Sequence, residues 1–204
     1  MTAQINDSFR YRGAEYSLAG ISEGELFDIS LLDLEPAAAS TACWRGYQAV
    51  FAVVHSRLVL DTLHVNLYRK GEGKQRHQRE VGPVINGVTP LPAEKEFDFF
   101  NNHYRGLNYH LEYSGGLLLA DGFIRSLYVH MGFHPPWKYE RVIELIFDGG
   151  ILKQEFDLSE QMAEFREMVI ESRNKNSADR TPTKDEIKRF VECAFDRSYR
   201  MHGL

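Results

Sequence analysis

The chain has few cysteines and no long apolar run. Its 204 residues include only two cysteines, Cys43 and Cys193, which lie far apart and form no disulfide framework. No apolar segment approaches the roughly 20 residues that a membrane-spanning helix needs. The N-terminus has no basic segment followed by an apolar stretch, the pattern typical of a secretory signal. We therefore expect a cytoplasmic protein with reduced cysteines and no membrane association.

Excess positive charge is also absent. The formal net charge is −5, and the main basic segment is residues 69–80, with five basic and two acidic side chains. A mildly acidic protein with one short basic loop is poorly suited to neutralising phosphates, which argues against nucleic acid as a partner. The composition is 43% hydrophobic and 12% aromatic, which is ample for a packed core.

Recognised catalytic, metal-binding and cofactor-binding patterns are missing as well. His130 and His134 have the i, i+4 spacing of metal ligands on a helix, but Gly132 and Pro135 predict that no helix spans both. The glycine-containing segment at 71–74 lacks the remaining residues of a phosphate-binding loop. We therefore expect no metal and no cofactor, and the sequence identifies no catalytic residue.

The most informative stretch runs from residue 113 to 155. Leu117 to Ala120 predicts a short strand, and Asp121 is placed to cap a following helix. The expected apolar stripe of that helix has i, i+3, i+4 and i+7 spacing and consists of Ile124, Leu127, Tyr128 and Met131. Residues 139–147 and 151–156 then predict a hairpin that turns at Asp148-Gly149.

Similar signals occur elsewhere. Residues 9–18, 47–54 and 58–67 predict strands from their β-branched and aromatic content. Asp28 can cap a short helical segment over 29–34, and Asn86-Gly87 is a strong hairpin signal. The predicted core contains Val50, Val53, Leu58, Leu127, Val142, Leu145 and Phe147.

An internal duplication is predicted at an offset of about 93 residues. Tyr11-Arg12-Gly13 recurs as Tyr104-Arg105-Gly106, and Trp44 recurs as Trp137. The apolar hairpin positions coincide at the same offset, and a fixed repeat of supersecondary signals is the mark of a repeated unit. The two units would cover residues 9–68 and 102–158.

Two amphipathic helices are predicted at the C-terminus. Asp157 or Ser159 can cap the first, and Thr183 with Glu186 forms a capping box for the second. The predicted fold is therefore α+β: two related antiparallel β units share one core in residues 1–158, and a helical pair in 159–204 packs on it. The sequence leaves two arrangements open, two packed sheets or a partly closed barrel.

A binding site is predicted around the loop from His130 to Tyr139. The loop carries His130 and His134, whose charge can change near neutral pH, and its two prolines reduce its flexibility. Trp137 and Tyr139 could offer stacking surfaces beside Arg105, which the repeated Tyr-Arg-Gly places in the same predicted sheet.

Three functional hypotheses follow. The leading one is a non-enzymatic cytoplasmic binding protein whose partner is another protein, as in an inhibitor or immunity protein. The alternative is a small-molecule-binding protein or enzyme with a concave site between the β units. The third is weak RNA binding through residues 69–79. The oligomeric state is not predicted.

Overall fold

One large β-sheet dominates the computed structural model, which describes residues 2–69, 78–93, 98–176 and 196–200. Nine strands form this sheet: β1 (Ser8–Tyr11), β2 (Ala14–Ile21), β3 (Tyr47–Val54), β4 (Arg57–Val65), β7 (Leu91–Pro92), β8 (Asn102–His110), β9 (Gly115–Phe123), β10 (Tyr139–Asp148) and β11 (Ile151–Asp157). A separate two-stranded sheet pairs β5 (Tyr68–Arg69) with β6 (Gln78–Arg79).

The strand order is β11-β10-β9-β2-β1-β3-β4-β8-β7. Strands β1 and β3 run parallel, and the other neighbours are antiparallel. β11 returns to β4, where Ile151 pairs with Arg57 and the Leu58 N–H donates to the Gly150 carbonyl at 2.8 Å. The sheet therefore curls until β11 meets β4, while β8 and β7 extend from the rest of β4.

The hairpin turns use residue pairs in the left-handed region. Arg12-Gly13, His55-Ser56, Asn86-Gly87 and Gly149-Gly150 all have positive φ. Two such residues in succession match the twist of the flanking strands. At position 150 only glycine also fits the available space, because a Cβ there would collide with the Leu111 carbonyl oxygen. The turn at Asn86-Gly87 closes a single bridge between Ile85 and Val88.

Two apolar clusters stabilise the sheet. The larger lies inside the curl and includes Phe9, Phe51, Leu60, Tyr104 and Leu145. The smaller lies around Leu118, Val142 and Leu158 and includes the partly buried Met162 of the helix. Of the predicted core residues, Val50, Leu58, Val142, Leu145 and Phe147 are buried, whereas Leu127 and Val53 are only half-buried.

The predicted α+β class with two C-terminal helices is wrong. The described chain is mostly β, with one α-helix, α1 (Ser159–Asn176), and three short 3-10 segments, Ile29–Leu32, Arg125–Leu127 and Pro136–Lys138. Most of the predicted second helix lies outside the described residues. Its predicted end is extended: Ser198 bridges to Ile21 in parallel. None of the helices in the described part of the chain combines the length and apolar character needed to cross a bilayer.

The predicted pair of related β units is also wrong. The hairpins β3–β4 and β10–β11 do coincide at the offset of 93, which explains the match in sequence. Their neighbours differ, however, because β1 lies parallel to β3 whereas β9 lies antiparallel to β10. β8, the counterpart expected for the first strand, pairs with β4 instead. All these strands belong to one mixed sheet.

The helix expected after Asp121 does not form, because Asp121 lies inside strand β9. β9 continues to Phe123, which pairs with Tyr139 of β10. Gly122 has a φ of 72°, outside the helical region, directly after the predicted cap. Only the 3-10 turn Arg125–Leu127 remains of the expected helix, because pairing with β10 outweighs the periodicity of four apolar side chains.

Candidate functional site

A large cavity, lined by described residues, lies at the end of the sheet where β1 and β3 begin. Its volume is about 530 Å³. The parallel register pairs Ser8 with Val50, so the residues that precede both strands meet at this end. Asp7 comes directly before β1, and Arg45 lies two residues before β3. Both side chains line the cavity.

Asp7 is the charged centre of the cavity wall. It is 4% exposed, and its carboxylate accepts from both terminal nitrogens of Arg45 at 2.7 Å. It also accepts from the backbone N–H of Ala49 at 2.9 Å and from Arg197 at 3.4 Å. Because these donors engage both oxygens, Asp7 is a structural counter-ion and is poorly placed to act as a base.

Arg45 is held rigidly. Beyond Asp7, it donates to the Ile5 carbonyl at 3.4 Å, and its guanidinium lies 4.8 Å from the centre of the Tyr47 ring. Burial alone would lower the pKa of Arg45, but the charge and hydrogen bonds of Asp7 raise it above its ordinary value. Arg45 therefore keeps its positive charge.

Arg197 enters from the C-terminal segment 196–200. That segment is anchored by the Ile21 N–H, which donates to the Arg197 carbonyl at 2.9 Å. The guanidinium lies 4.7 Å from the centre of the Phe133 ring, and the side chain is 18% exposed. Within the described residues, its hydrogen bonding is limited to the 3.4 Å contact with Asp7. A guanidinium has five N–H donors, so most of this group's hydrogen-bonding capacity is unused within the described residues.

Aromatic rings form much of the remaining wall. Phe27 packs edge-on against Tyr47 and Phe51. Trp44, 56% exposed, stands at the mouth. Two exposed carboxylates, Glu25 and Asp196, also line the mouth.

A smaller cavity of about 80 Å³ adjoins the first and shares Phe133 and Arg197 with it. His134 lines this space with a buried Nδ1 that has no hydrogen-bond partner among the described residues. Burial lowers the pKa of its imidazole, and the Lys138 charge lowers it further. Tyr199 lines it too; burial raises the pKa of this phenol, as does the neighbouring Glu144 carboxylate.

The residues predicted as a site from sequence are only partly brought together. His130 is exposed and its Nδ1 lies 2.8 Å from the Tyr128 hydroxyl. His134 stacks at 4.6 Å on Phe123, and Tyr139 is 5% exposed beneath them.

Trp137 and Arg105 lie apart from the main cavity. Trp137 belongs to the 3-10 segment before β10, and its carbonyl accepts from Arg166 of α1 at 2.8 Å. Arg105 lies in β8, opposite Thr62 of β4 and near His64. Of the predicted loop, Phe133 lines the large cavity, and Phe133, His134, Pro135 and Pro136 line the small one.

A second polar cluster joins β4 to β8. His64 and His103 face each other in register, with their Nδ1 atoms 2.7 Å apart, so one ring must donate and the other accept. Asp98 lies 3.1 Å from the other ring nitrogen of His103, and Phe100 stacks on His64. Burial, together with the charge of His103, lowers the pKa of His64 to about 4. Neither histidine lines the cavity of about 530 Å³ or the cavity of about 80 Å³.

Neither cluster was visible in the sequence, since their members come from distant positions. No group of three or more His, Cys, Asp or Glu side chains in the described ranges is arranged to hold a metal ion.

Comparison with known proteins adds no assignment. The chain matches no protein-family model, no curated protein and no solved structure. The cavity geometry is therefore the basis for any functional proposal.

Proposed function

We propose that the chain is a binding protein for a small organic anion with an aromatic or other flat apolar body. The observation that carries the proposal is the Arg197 guanidinium. Only 18% of its side chain is exposed, yet its one hydrogen bond to the described residues is long, at 3.4 Å. A buried charge is costly unless it is paired and hydrogen-bonded, so an anionic group bound in the cavity would stabilise it.

The rest of the cavity supports this ligand class. Carboxylates and phosphates match the flat fork of a guanidinium, and the Phe27, Tyr47 and Phe133 rings offer surface for an apolar body. A concave, mostly apolar site with a few convergent polar groups is typical of small-molecule binding. Asp7, which is engaged by four donors, is unsuited to proton transfer, which favours binding over catalysis.

Fluorescence of Trp44 tests the proposal. The chain has two tryptophans, so a Trp137→Phe background leaves Trp44 at the mouth as the sole reporter. We expect 3-phenylpropionate to bind at least about tenfold more tightly than its neutral amide, or about 1.4 kcal/mol. Arg197→Gln should abolish this preference.

Arg12→Gln is the matched control, because Arg12 is 70% exposed and pairs with Glu155 away from the cavity. It should leave the preference intact. Equal binding of acid and amide, or a preference that survives Arg197→Gln, would contradict the proposal.

A protein partner, the leading hypothesis from the sequence, is the second candidate. It is favoured by four exposed apolar side chains near the β7–β8 edge: Val81, Val84, Leu91 and Phe99. Exposed apolar surface of this kind is typical of interaction sites. A partner retained by the wild type in a pull-down should be lost from a Val81→Ser, Leu91→Ser variant but kept by Arg197→Gln; retention by both variants would remove this candidate.

A further inference from the structure

The charges of the main cavity are arranged by depth. Asp7 is buried, and Arg45 and Arg197 keep 24% and 18% of their side chains exposed. Glu25 and Asp196, by contrast, are exposed at the mouth. Apart from the buried Asp7, the cavity therefore has its cations in the deeper part and its anions at the entrance.

The balance of these charges does not suit a simple anion. Asp7 and Arg45 neutralise each other through a two-pronged ion pair at 2.7 Å. What remains is one positive charge, Arg197, facing two negative charges, Glu25 and Asp196. A ligand with only an anionic group would gain at Arg197 and be repelled at the mouth.

We infer that the ligand is a zwitterion, with an anionic group at Arg197 and an ammonium group at the mouth, separated by an apolar body. This inference rests on the proposed function and specifies the ligand class of the same cavity.

The mouth is built to receive a cation. The Asp196 carboxylate is oriented by the Ser198 N–H, which donates to one oxygen at 2.7 Å. This hydrogen bonding also lowers the pKa of Asp196, so the group is ionised at neutral pH. Trp44, half of whose surface is exposed beside the two carboxylates, offers a ring face on which an ammonium group can sit.

A matched ligand pair tests the inference in the Trp137→Phe background. The zwitterion is 3-[4-(aminomethyl)phenyl]propionate, and its isostere without the positive charge is 3-(4-ethylphenyl)propionate. We expect the zwitterion to bind at least about tenfold more tightly. A Glu25→Gln, Asp196→Asn double variant should lose this preference without weakening the isostere, because both substitutions keep the side-chain size and Asn still accepts from Ser198.

Glu15→Gln is the control, since Glu15 is exposed on β2 and does not line the cavity. It should keep the preference. Equal binding of both ligands, with both weakened by Arg197→Gln, would overturn the inference but leave the proposed function standing. A preference that persists in the double variant would also overturn it, and failure of both ligands to bind would overturn the two proposals together.

Discussion

Replacing Asp7 by asparagine should remove the charge that holds two guanidinium groups in place. Asparagine keeps an oxygen for the Ala49 N–H, so the change isolates the loss of charge. Removing one partner of a buried ion pair costs about 3–5 kcal/mol, because the other charge is left uncompensated. Arg45 keeps 24% of its side chain exposed, so we expect the lower end, about 3 kcal/mol.

Denaturant unfolding of four proteins measures this interaction: wild type, Asp7→Asn, Arg45→Met and the double variant. The double variant should be no less stable than Asp7→Asn alone, because methionine removes the guanidinium that Asp7 engages most closely and leaves only Arg197 uncompensated. The resulting coupling energy should be about 2 kcal/mol, within the range seen for residues in one network.

Asp121→Asn provides a matched surface control. Asp121 accepts from Arg141 at 2.6 Å and from the Gly122 N–H at 2.7 Å, so it has the same kinds of donor as Asp7, a guanidinium and a backbone N–H. Here, however, the Asp121 and Arg141 side chains are 41% and 54% exposed. This change should cost about 1 kcal/mol or less. Equal losses for Asp7→Asn and Asp121→Asn would refute the argument that burial makes the Asp7 pair strong.

Three further predictions concern the sheet. Leu145→Ala should cost about 2–5 kcal/mol in a denaturant melt, because Leu145 is fully buried; a loss below about 1 kcal/mol would contradict its place in the core. The pKa of His64 is lowered from 6.5 to about 4, so the unfolded chain binds the proton first and stability should fall as pH drops from 6.5 to about 4. His64→Gln should lose this component, and an unchanged pH profile would count against it. Gly150→Ala should destabilise far more than Gly149→Ala in thermal melts, because both have positive φ but only Gly150 faces the Leu111 carbonyl; similar losses would show that the contact is not limiting.

Strands and turns set by local signals were predictable. The β-branched and aromatic content of 47–54 predicts β3 with the observed bounds. The hairpin of β10 and β11 forms as predicted, although its turn uses Gly149-Gly150, one residue beyond the predicted Asp148-Gly149. In both places the strand residues and the nearby turn residues favour the same local structure.

The helix predicted after Asp121 shows where local signals conflict. Ile124, Leu127 and Tyr128 have helical spacing, but Gly122 stands in the position of the first helical turn. Glycine is among the weakest helix formers, and the strand that ends at Phe123 gains a full ladder with β10. The periodicity of a few apolar residues is a weak guide when a strand can pair on both sides, as β9 does with β2 and β10.

The site could not have been found from sequence because it depends on one parallel pairing. Hairpin signals predict antiparallel neighbours, and all the strands expected from them were placed in that way. β1 instead lies parallel to β3, so both strands begin at the same end, and Asp7 meets Arg45 across 38 residues. β2 runs antiparallel to β1, so it ends there too and offers Ile21 to the segment that carries Arg197. The three charged side chains thus converge because the ends of three strands, β1, β2 and β3, lie at the same end of the sheet. The spacing of these residues in the sequence does not reveal this arrangement. Side chains brought together by such a pairing are close in space but far apart in sequence, so no short sequence motif marks this cavity.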